Sequence, residues 1–228
     1  MFLKKTLFTL KKTCFGFLLA GIVVTLCSTA CSVDAYDKGE GEYSLLTAEM
    51  ADVTVGSDKY VKKVETDEGE QLTLANPVTV KWIEKGDTTY RTLLYYKKLS
   101  NGQADAVSMR KVGVMKLGKQ ENVKTDPIYV ESIWVGKNRK YVNMRLRLLT
   151  GASEDEKAVQ TLGIVRDIKA SSSNHEHLVL YHDQGGQPEY YSTTTFVSIP
   201  LSEIGADTLT ITVNTYDGLY SKTLNKEQ

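Results

Sequence analysis

From Tyr43 to its C-terminus, this 228-residue chain is a succession of short apolar and β-branched runs, each ended by a turn signal. Almost none of these runs shows the 3.6-residue spacing of apolar positions that marks an amphipathic helix. Frequent Val and Thr and the 13 tyrosines also favour strands. The sequence therefore predicts an all-β protein.

The first half of this body has the pattern of a small barrel. The run at 78–83 alternates apolar and polar residues as a half-buried strand does, and the Asn-Gly pair at 101–102 is a strong turn signal. Strands this closely spaced favour an OB-like barrel, which we place at residues 43–118. The predicted strands are 45–55, 60–65, 71–74, 78–83, 90–99 and 106–117.

The second half predicts an antiparallel β-sandwich over residues 119–228. The polar stretch 119–127 ends in Asp126-Pro127 and is the best domain boundary. In the run 141–149, apolar and polar residues alternate with a period of two, as in a strand with one buried face. Several strands separated by turns across about 100 residues are typical of a sandwich; the predicted strands are 128–135, 141–149, 158–168, 177–182, 193–199 and 208–216.

One of these runs, 158–168, also fits a helix. Residues 153–156 resemble a capping box, and Val159, Leu162, Val165 and Ile168 have helical spacing. Gly163 and the strand-like runs on both sides favour a strand, which is our prediction.

The N-terminus has the features of a lipoprotein signal peptide over residues 1–30. Four lysines precede an apolar run at 14–26, and small residues lead to Cys31. The alternative, a membrane-spanning helix, needs about 20 apolar residues, and this run of 13 is too short. Ala30 before Cys31 fits lipoprotein cleavage better than Leu26 before Cys27, so we predict lipid attachment at Cys31.

Acylation of Cys31 with fatty chains such as palmitate predicts stable membrane anchoring, because two chains on one residue suffice for it. Residues 31–42 are acidic and contain glycine, which indicates a tether between the lipid and the fold. Acidic residues just after the lipidated cysteine resemble the surface-export signals of Bacteroidota lipoproteins. The predicted location is the cell envelope, on the outer membrane and exposed at the surface.

Cysteine content and charge exclude several functions for the body that follows. Cys14 and Cys27 leave with the signal and Cys31 carries lipid, so disulfides, thiolate zinc sites and a cysteine nucleophile are excluded. Removing the four signal lysines leaves 24 basic against 28 acidic residues. A mildly acidic body has no electrostatic reason to bind nucleic acid, and we predict no nucleic-acid partner.

No group of residues forms a convincing catalytic, metal or cofactor site. His175 and His177 share one face of a strand and His182 the other, so one strand cannot bring all three to one metal. The acidic clusters at 67–70 and 154–156 and the basic run 137–140 indicate solvated turns. The chain has no Gly-x-Ser-x-Gly elbow. We predict a protein that is not an enzyme, with no cofactor and no metal.

Tyrosines are the candidate ligand contacts. The pairs Tyr95-Tyr96 and Tyr190-Tyr191 each place one ring outward if the segments are strands. Exposed tyrosines stack on sugars or anchor protein partners, although they also cover sandwich edges. We predict Tyr96, Tyr190 and Tyr191 as ligand contacts.

Five segments of the body carry a family resemblance: Ser132-Ile-Trp134, Tyr141-Val-Asn-Met-Arg-Leu146, Leu178-Val-Leu-Tyr-His-Asp183, Val197-Ser-Ile-Pro-Leu-Ser202 and Thr215-Tyr-Asp217. They resemble the NigD-like lipoproteins of Bacteroidota, and the resemblance extends over about residues 43–218. It implies an N-terminal OB domain, a C-terminal β-sandwich and, through the family's genetic association, bacteriocin immunity. It carries over no catalytic residues.

The functional expectation is a non-enzymatic, envelope-anchored binding or interaction module with an immunity role. Its partners are the membrane, through the lipid, and an unidentified protein or glycan. The alternative is a surface glycan-binding or host-binding lipoprotein. A metal-handling or hydrolytic envelope protein that uses His175 and His177 is a third reading.

Overall fold

A computed structural model describes residues 46–118, 123–155 and 157–227. The signal peptide at 1–30, Cys31 and the tether at 31–42 lie outside these residues, so their assignments stay predictions. Within the described ranges, none of the helical segments is long and apolar enough to span a membrane. The strands are β1 (Leu46–Val55), β2 (Val61–Thr66), β3 (Gln71–Leu74), β4 (Thr88–Lys98), β5 (Gln103–Lys111), β6 (Gly113–Val114), β7 (Leu117–Gly118), β8 (Tyr129–Val135), β9 (Tyr141–Thr150), β10 (Thr161–Arg166), β11 (His175–Asp183), β12 (Tyr191–Pro200), β13 (Thr208–Thr215) and β14 (Gly218–Asn225).

The first five strands close into a barrel in the order β1-β2-β3-β5-β4. β1 pairs antiparallel with both β2 and β4, and the parallel pair β3–β5 completes the circuit. The predicted OB-like barrel is therefore confirmed, with five strands where the sequence suggested six. Alternate residues of each strand point inward, and their packing fills the barrel; the most buried include Val53, Val64, Leu94, Tyr96 and Ala104.

The remaining strands form a sandwich of two sheets, β14-β13-β11-β10-β7 and β6-β12-β9-β8. The predicted β-sandwich is therefore confirmed. Parallel pairs β11–β13, β10–β7 and β12–β6 accompany the antiparallel ones. The period-two run on β9 buries its apolar face between the sheets, as predicted; Val142, Met144 and Leu146 are fully buried.

The change from barrel to sandwich comes earlier in the chain than the predicted boundary between 118 and 119. β6 pairs with β12 and β7 pairs with β10, so residues 113–118 belong to the two sandwich sheets. The barrel ends with β5 at Lys111. The polar composition of 119–127 indicated a linker, but the sheet pairing changes before it.

Two local expectations have different outcomes. The run 78–83 is not a strand, although its alternation suggested one. It lies against the barrel core instead: Ile83 is buried, and Trp82 Nε1 donates to the carbonyl oxygen of Met109 at 3.3 Å. The run 158–168 contains β10, which pairs antiparallel with β11, so the strand interpretation is confirmed. β14 was not predicted.

Candidate functional site

A buried polar cluster joins the barrel to the sandwich. Arg91, on β4, forms an ion pair with Asp67 (Nη2–Oδ2 2.5 Å) and a longer one with Asp52 (Nη1–Oδ1 3.3 Å). It also donates from Nη2 to Asn143 Oδ1 on β9 at 3.0 Å and from Nε to Ser198 Oγ on β12 at 3.2 Å. Charge-assisted hydrogen bonds in a buried setting are directional, so this cluster fixes how the two domains meet.

Two turns of opposite charge meet beside this cluster. Glu68 of the acidic β2–β3 turn forms an ion pair with Lys137 of the basic β8–β9 turn, and Glu65 near the end of β2 forms one with Lys140 at 2.5 Å. A Cβ added to Gly136 would lie 2.8 Å from Asp67 Oδ2, so the approach requires glycine there. Both turns were predicted to be solvated: Glu68 and Lys137 are exposed although they are paired, whereas Asp67 is buried.

A groove of about 580 Å³ opens at the same junction. This volume is within the usual range of ligand sites, roughly 300–1,000 Å³. Met50 and Leu93 of the barrel are buried under it, together with Val112. Its walls come from β1, β4 and the β2–β3 turn on one side and from β8, β9 and β12 on the other; they include Glu49, Glu68, Tyr95, Trp134, Arg145 and Phe196.

The register of the strands explains which sandwich residues reach the groove. On β8, β9 and β12, Ser132, Arg145 and Phe196 form one row across the sheet. The neighbouring row contains Asn143 and Ser198 of the Arg91 cluster. Residues of one parity share a sheet face, so this face, opposite the sandwich core, meets the barrel.

Glu49 lines the groove. It also shares the inward parity of Ala51 and Val53 on β1, which places it at the mouth of the barrel. Tyr96 Oη donates to its Oε2 at 3.2 Å. Burial raises the pKa of the Glu49 carboxyl above its usual value, the hydrogen bond from Tyr96 opposes this, and the charges of Glu70 and Glu68 add to the rise. The groove therefore has an acidic end.

The three tyrosines predicted as ligand contacts do not form one site. Tyr96 is 1% exposed inside the barrel, so its selection as a ligand contact was wrong: Tyr95 is the partly exposed member of that pair. Tyr190 and Tyr191 are 80% and 59% exposed and lie before and at the start of β12. The structure thus leaves these two as surface aromatic residues.

The histidines have the predicted parity on β11, with His182 buried on the face opposite His175 and His177. His175 bonds through its ring nitrogens to Thr208 Oγ1 at 2.7 Å and Thr210 Oγ1 at 2.9 Å. Its ring is therefore engaged within the sheet. Across the described parts of the chain, no three His, Cys, Asp or Glu side chains are grouped as a metal site would need.

A comparison with known protein families shows to which family the chain belongs. The family described as the NigD-like C-terminal beta sandwich domain matches residues 111–225, which is half of the chain. The chain belongs to the NigD-like family. The match begins at the last residue of β5, close to where the sheets change from barrel to sandwich. Among curated proteins, none matches the chain.

Solved structures share the fold of this NigD-like protein. A NigD-like immunity protein from Bacteroides caccae is 27% identical, with a TM-score of 0.58 over 78% of this chain and 91% of its own. A protein from Parabacteroides distasonis, provisionally named toxin-related, is 17% identical with a TM-score of 0.63, over 80% and 94%. A protein from Bacteroides fragilis, provisionally named a lipoprotein, is 13% identical with a TM-score of 0.56, over 78% and 96%.

Sequence reasoning missed the groove of this NigD-like protein. Trp134 lies in a family segment and Phe196 in a predicted strand, but neither was selected as a site residue. A signal was available for Phe196: its parity is opposite to that of Val197 and Ile199, so it points away from the sandwich core. For Glu49 the available signal was a carboxylate within an apolar strand, at the same parity as Ala51 and Val53.

Proposed function

We propose that this chain is a non-enzymatic lipoprotein of the cell envelope that binds a partner in the groove between its two domains and acts in immunity to a bacteriocin. The observation that carries the proposal is the groove itself. Its walls come from both domains, and it combines half-buried aromatic rings with an acidic end. Such a combination suits recognition of a partner.

Family membership and the N-terminal sequence support the rest. The Bacteroides caccae protein, a member of the same family, is described as an immunity protein. The lysines, the apolar run and Cys31 support export, cleavage and lipid attachment. Anchoring would hold the body next to the outer membrane, where an arriving toxin could be intercepted.

Deletion of the gene tests the immunity role. We expect the deletion strain to become more sensitive to at least one member of a bacteriocin panel, and the wild-type gene to restore resistance. A Cys31→Ala variant should not restore it if anchoring is needed. Unchanged sensitivity across the whole panel would count decisively against an immunity role.

Protease treatment of intact cells tests the location. Loss of the folded body from intact cells is the result expected for a surface lipoprotein. Protection until the outer membrane is broken would instead put the body in the periplasm and would direct the search to an internal partner.

A second candidate function is glycan or host-surface binding through Tyr190 and Tyr191. The observation that favours it is their exposure next to a further aromatic pair: Tyr129 and Tyr216 stack at 4.7 Å, and Tyr216 Oη donates to Glu189 Oε1 at 3.2 Å. A glycan array tests it. Binding that is lost in Tyr190→Ala and Tyr191→Ala but kept in Glu49→Gln would favour this surface over the groove.

A further inference from the structure

Among the residues that the structure describes, the charged side chains lining the groove are paired with one exception. Asp67 has Arg91 at 2.5 Å, Glu68 has Lys137, and Arg145 on the opposite wall has Glu131, with Nε–Oε2 at 2.5 Å. Glu49 has no basic partner within salt-bridge distance among the described residues. A partly buried carboxylate without a counter-charge is unfavourable in the free protein, and a bound cation would relieve this.

The aromatic side chains of the groove are only partly occupied by internal partners. Phe196 already has the guanidinium groups of Arg145 and Arg110 at 5.7 and 6.0 Å from its ring centre. Tyr95 and Trp134 are half-buried and pack against the cluster of Met50, Leu93 and Val112. Their remaining faces offer apolar area for a partner's side chains.

We propose that the groove binds a basic, amphipathic peptide segment of a partner protein, with a Lys or Arg side chain at Glu49 and an apolar side chain against Trp134. This rests on the proposed binding function and names its partner class. Charge complementarity selects a cation over a neutral sugar, because a sugar would leave the Glu49 carboxylate uncompensated. The volume of about 580 Å³ holds a few side chains, as a short segment would present.

Tryptophan fluorescence provides the test, because the chain has two tryptophans and only Trp134 lines the groove. The protein is purified with its anchor in non-ionic detergent and titrated with a synthetic peptide of alternating Lys and Leu. We expect a saturable change in emission. Trp134→Phe should abolish the change, while Trp82, which bonds to Met109 in the barrel, stays as an internal reference.

Glu49→Gln and Glu84→Gln form the matched pair. Each removes one negative charge, but Glu84 is exposed on the segment between β3 and β4, outside the groove. We expect Glu49→Gln to weaken binding at least about tenfold, the loss of one charge-assisted contact, and Glu84→Gln to leave it unchanged. Equal weakening in both variants would show only general attraction to an acidic protein and would overturn the proposal.

Two further probes complete the experiment. A peptide of alternating Glu and Leu should not bind, and one of alternating Lys and Ser should bind more weakly than the Lys and Leu peptide. Saturable quenching of Trp134 by a neutral oligosaccharide, with no response to the basic peptide, would overturn the proposal in favour of a glycan ligand.

The outcome can be separated from that of the immunity proposal. Sensitised deletion cells with no peptide binding would overturn the groove assignment alone. Peptide binding that depends on Glu49, in a protein whose deletion changes no bacteriocin sensitivity, would support the groove and remove the immunity role.

Discussion

Arg91 of the barrel donates a hydrogen bond from Nη2 to the side-chain oxygen of Asn143 of the sandwich across 3.0 Å. Asn143 in turn donates from Nδ2 to Asp67 Oδ2 at 2.6 Å and accepts from Ser198 Oγ at 2.7 Å. The ring of Tyr141 lies 4.1 Å from the guanidinium carbon. One buried cation thus has bonding partners in both domains. Its removal would leave the carboxylates of Asp52 and Asp67 without their counter-charge.

Replacing Arg91 with Met should reduce the free energy of unfolding by about 3–5 kcal/mol, the usual effect of leaving a buried charge unpaired. Urea unfolding measures it. The control is Lys62→Met, which breaks the exposed pair with Asp58 and should change the free energy of unfolding only slightly. A loss for Arg91→Met no larger than that of the control would contradict the role given to the cluster.

Gly163→Ala should destabilise the sandwich. Gly163 lies opposite Tyr181 in the β10–β11 pair, and an added Cβ would come within 2.4 Å of two ring carbons and the hydroxyl oxygen of Tyr181. Overpacking of this kind typically costs about 1–3 kcal/mol. Thermal unfolding would show it as a lowered Tm. Gly113→Ala is the matched control, because its Cβ would meet only Val197 at 3.5 Å.

Glu49→Gln should stabilise the protein at pH 7 and have no such effect at low pH. Burial raises the pKa of Glu49, so in the folded state the charged form is disfavoured. The destabilisation is absent below the unfolded pKa and grows as pH rises through the folded pKa. Urea midpoints of both proteins at pH 7 and near pH 3 measure it. An equal difference at both pH values would contradict the assignment to this carboxyl.

Tyr96→Ala and Tyr191→Ala should differ strongly in stability. Tyr96 fills the barrel core, and removing a buried aromatic ring costs about 3–5 kcal/mol. Tyr191 is exposed, and its removal should change stability by no more than about 0.5 kcal/mol. Chemical unfolding of the two variants side by side would decide, and a large loss for Tyr191→Ala would show that it packs an edge rather than offering a surface.

Alkaline pH should weaken the fold partly through Tyr216. Burial first, and then the charge of Glu189, raise the pKa of Tyr216 to about 12 from the ordinary 10.0. The folded state therefore keeps a proton that the unfolded state loses, so this contribution to stability is complete below pH 10 and disappears as pH rises to about 12. The fall in stability over that interval should be shallower in Tyr216→Phe, as measured by unfolding at pH 9 and pH 11.5.

The sequence predicted features that depend on local periodicity. The alternation in 141–149 predicted β9 and its buried face, and the parity of the three histidines on β11 was correct. Periodicity could not decide which member of the Tyr95-Tyr96 pair faces the core, because adjacent positions always point to opposite faces. It also misled at 78–83, where a loop packed on the barrel has the same alternation as a strand.

The junction could not be predicted in this way because its contacts are distant in sequence. Asp67 and Asn143 are 76 residues apart, and Arg91 and Ser198 are 107 apart. Asn143 occupies a polar position of β9, which the alternation assigned to solvent. The outer face of the sheet is instead covered by the barrel there, so a polar residue is buried with partners. The groove lies between the barrel and this outer face of the sheet.

The single residue between β5 and β6 has a consequence for binding. Val112 is buried under the groove, and its backbone N–H donates to the carbonyl oxygen of Arg91 at 3.0 Å. A connection this short and enclosed restricts hinge motion between the domains. The groove walls are therefore preorganised, and a ligand would not have to restrain domain motion when it binds. Little binding free energy is therefore lost to ordering the protein, and selectivity depends on how well the partner's segment fits the groove.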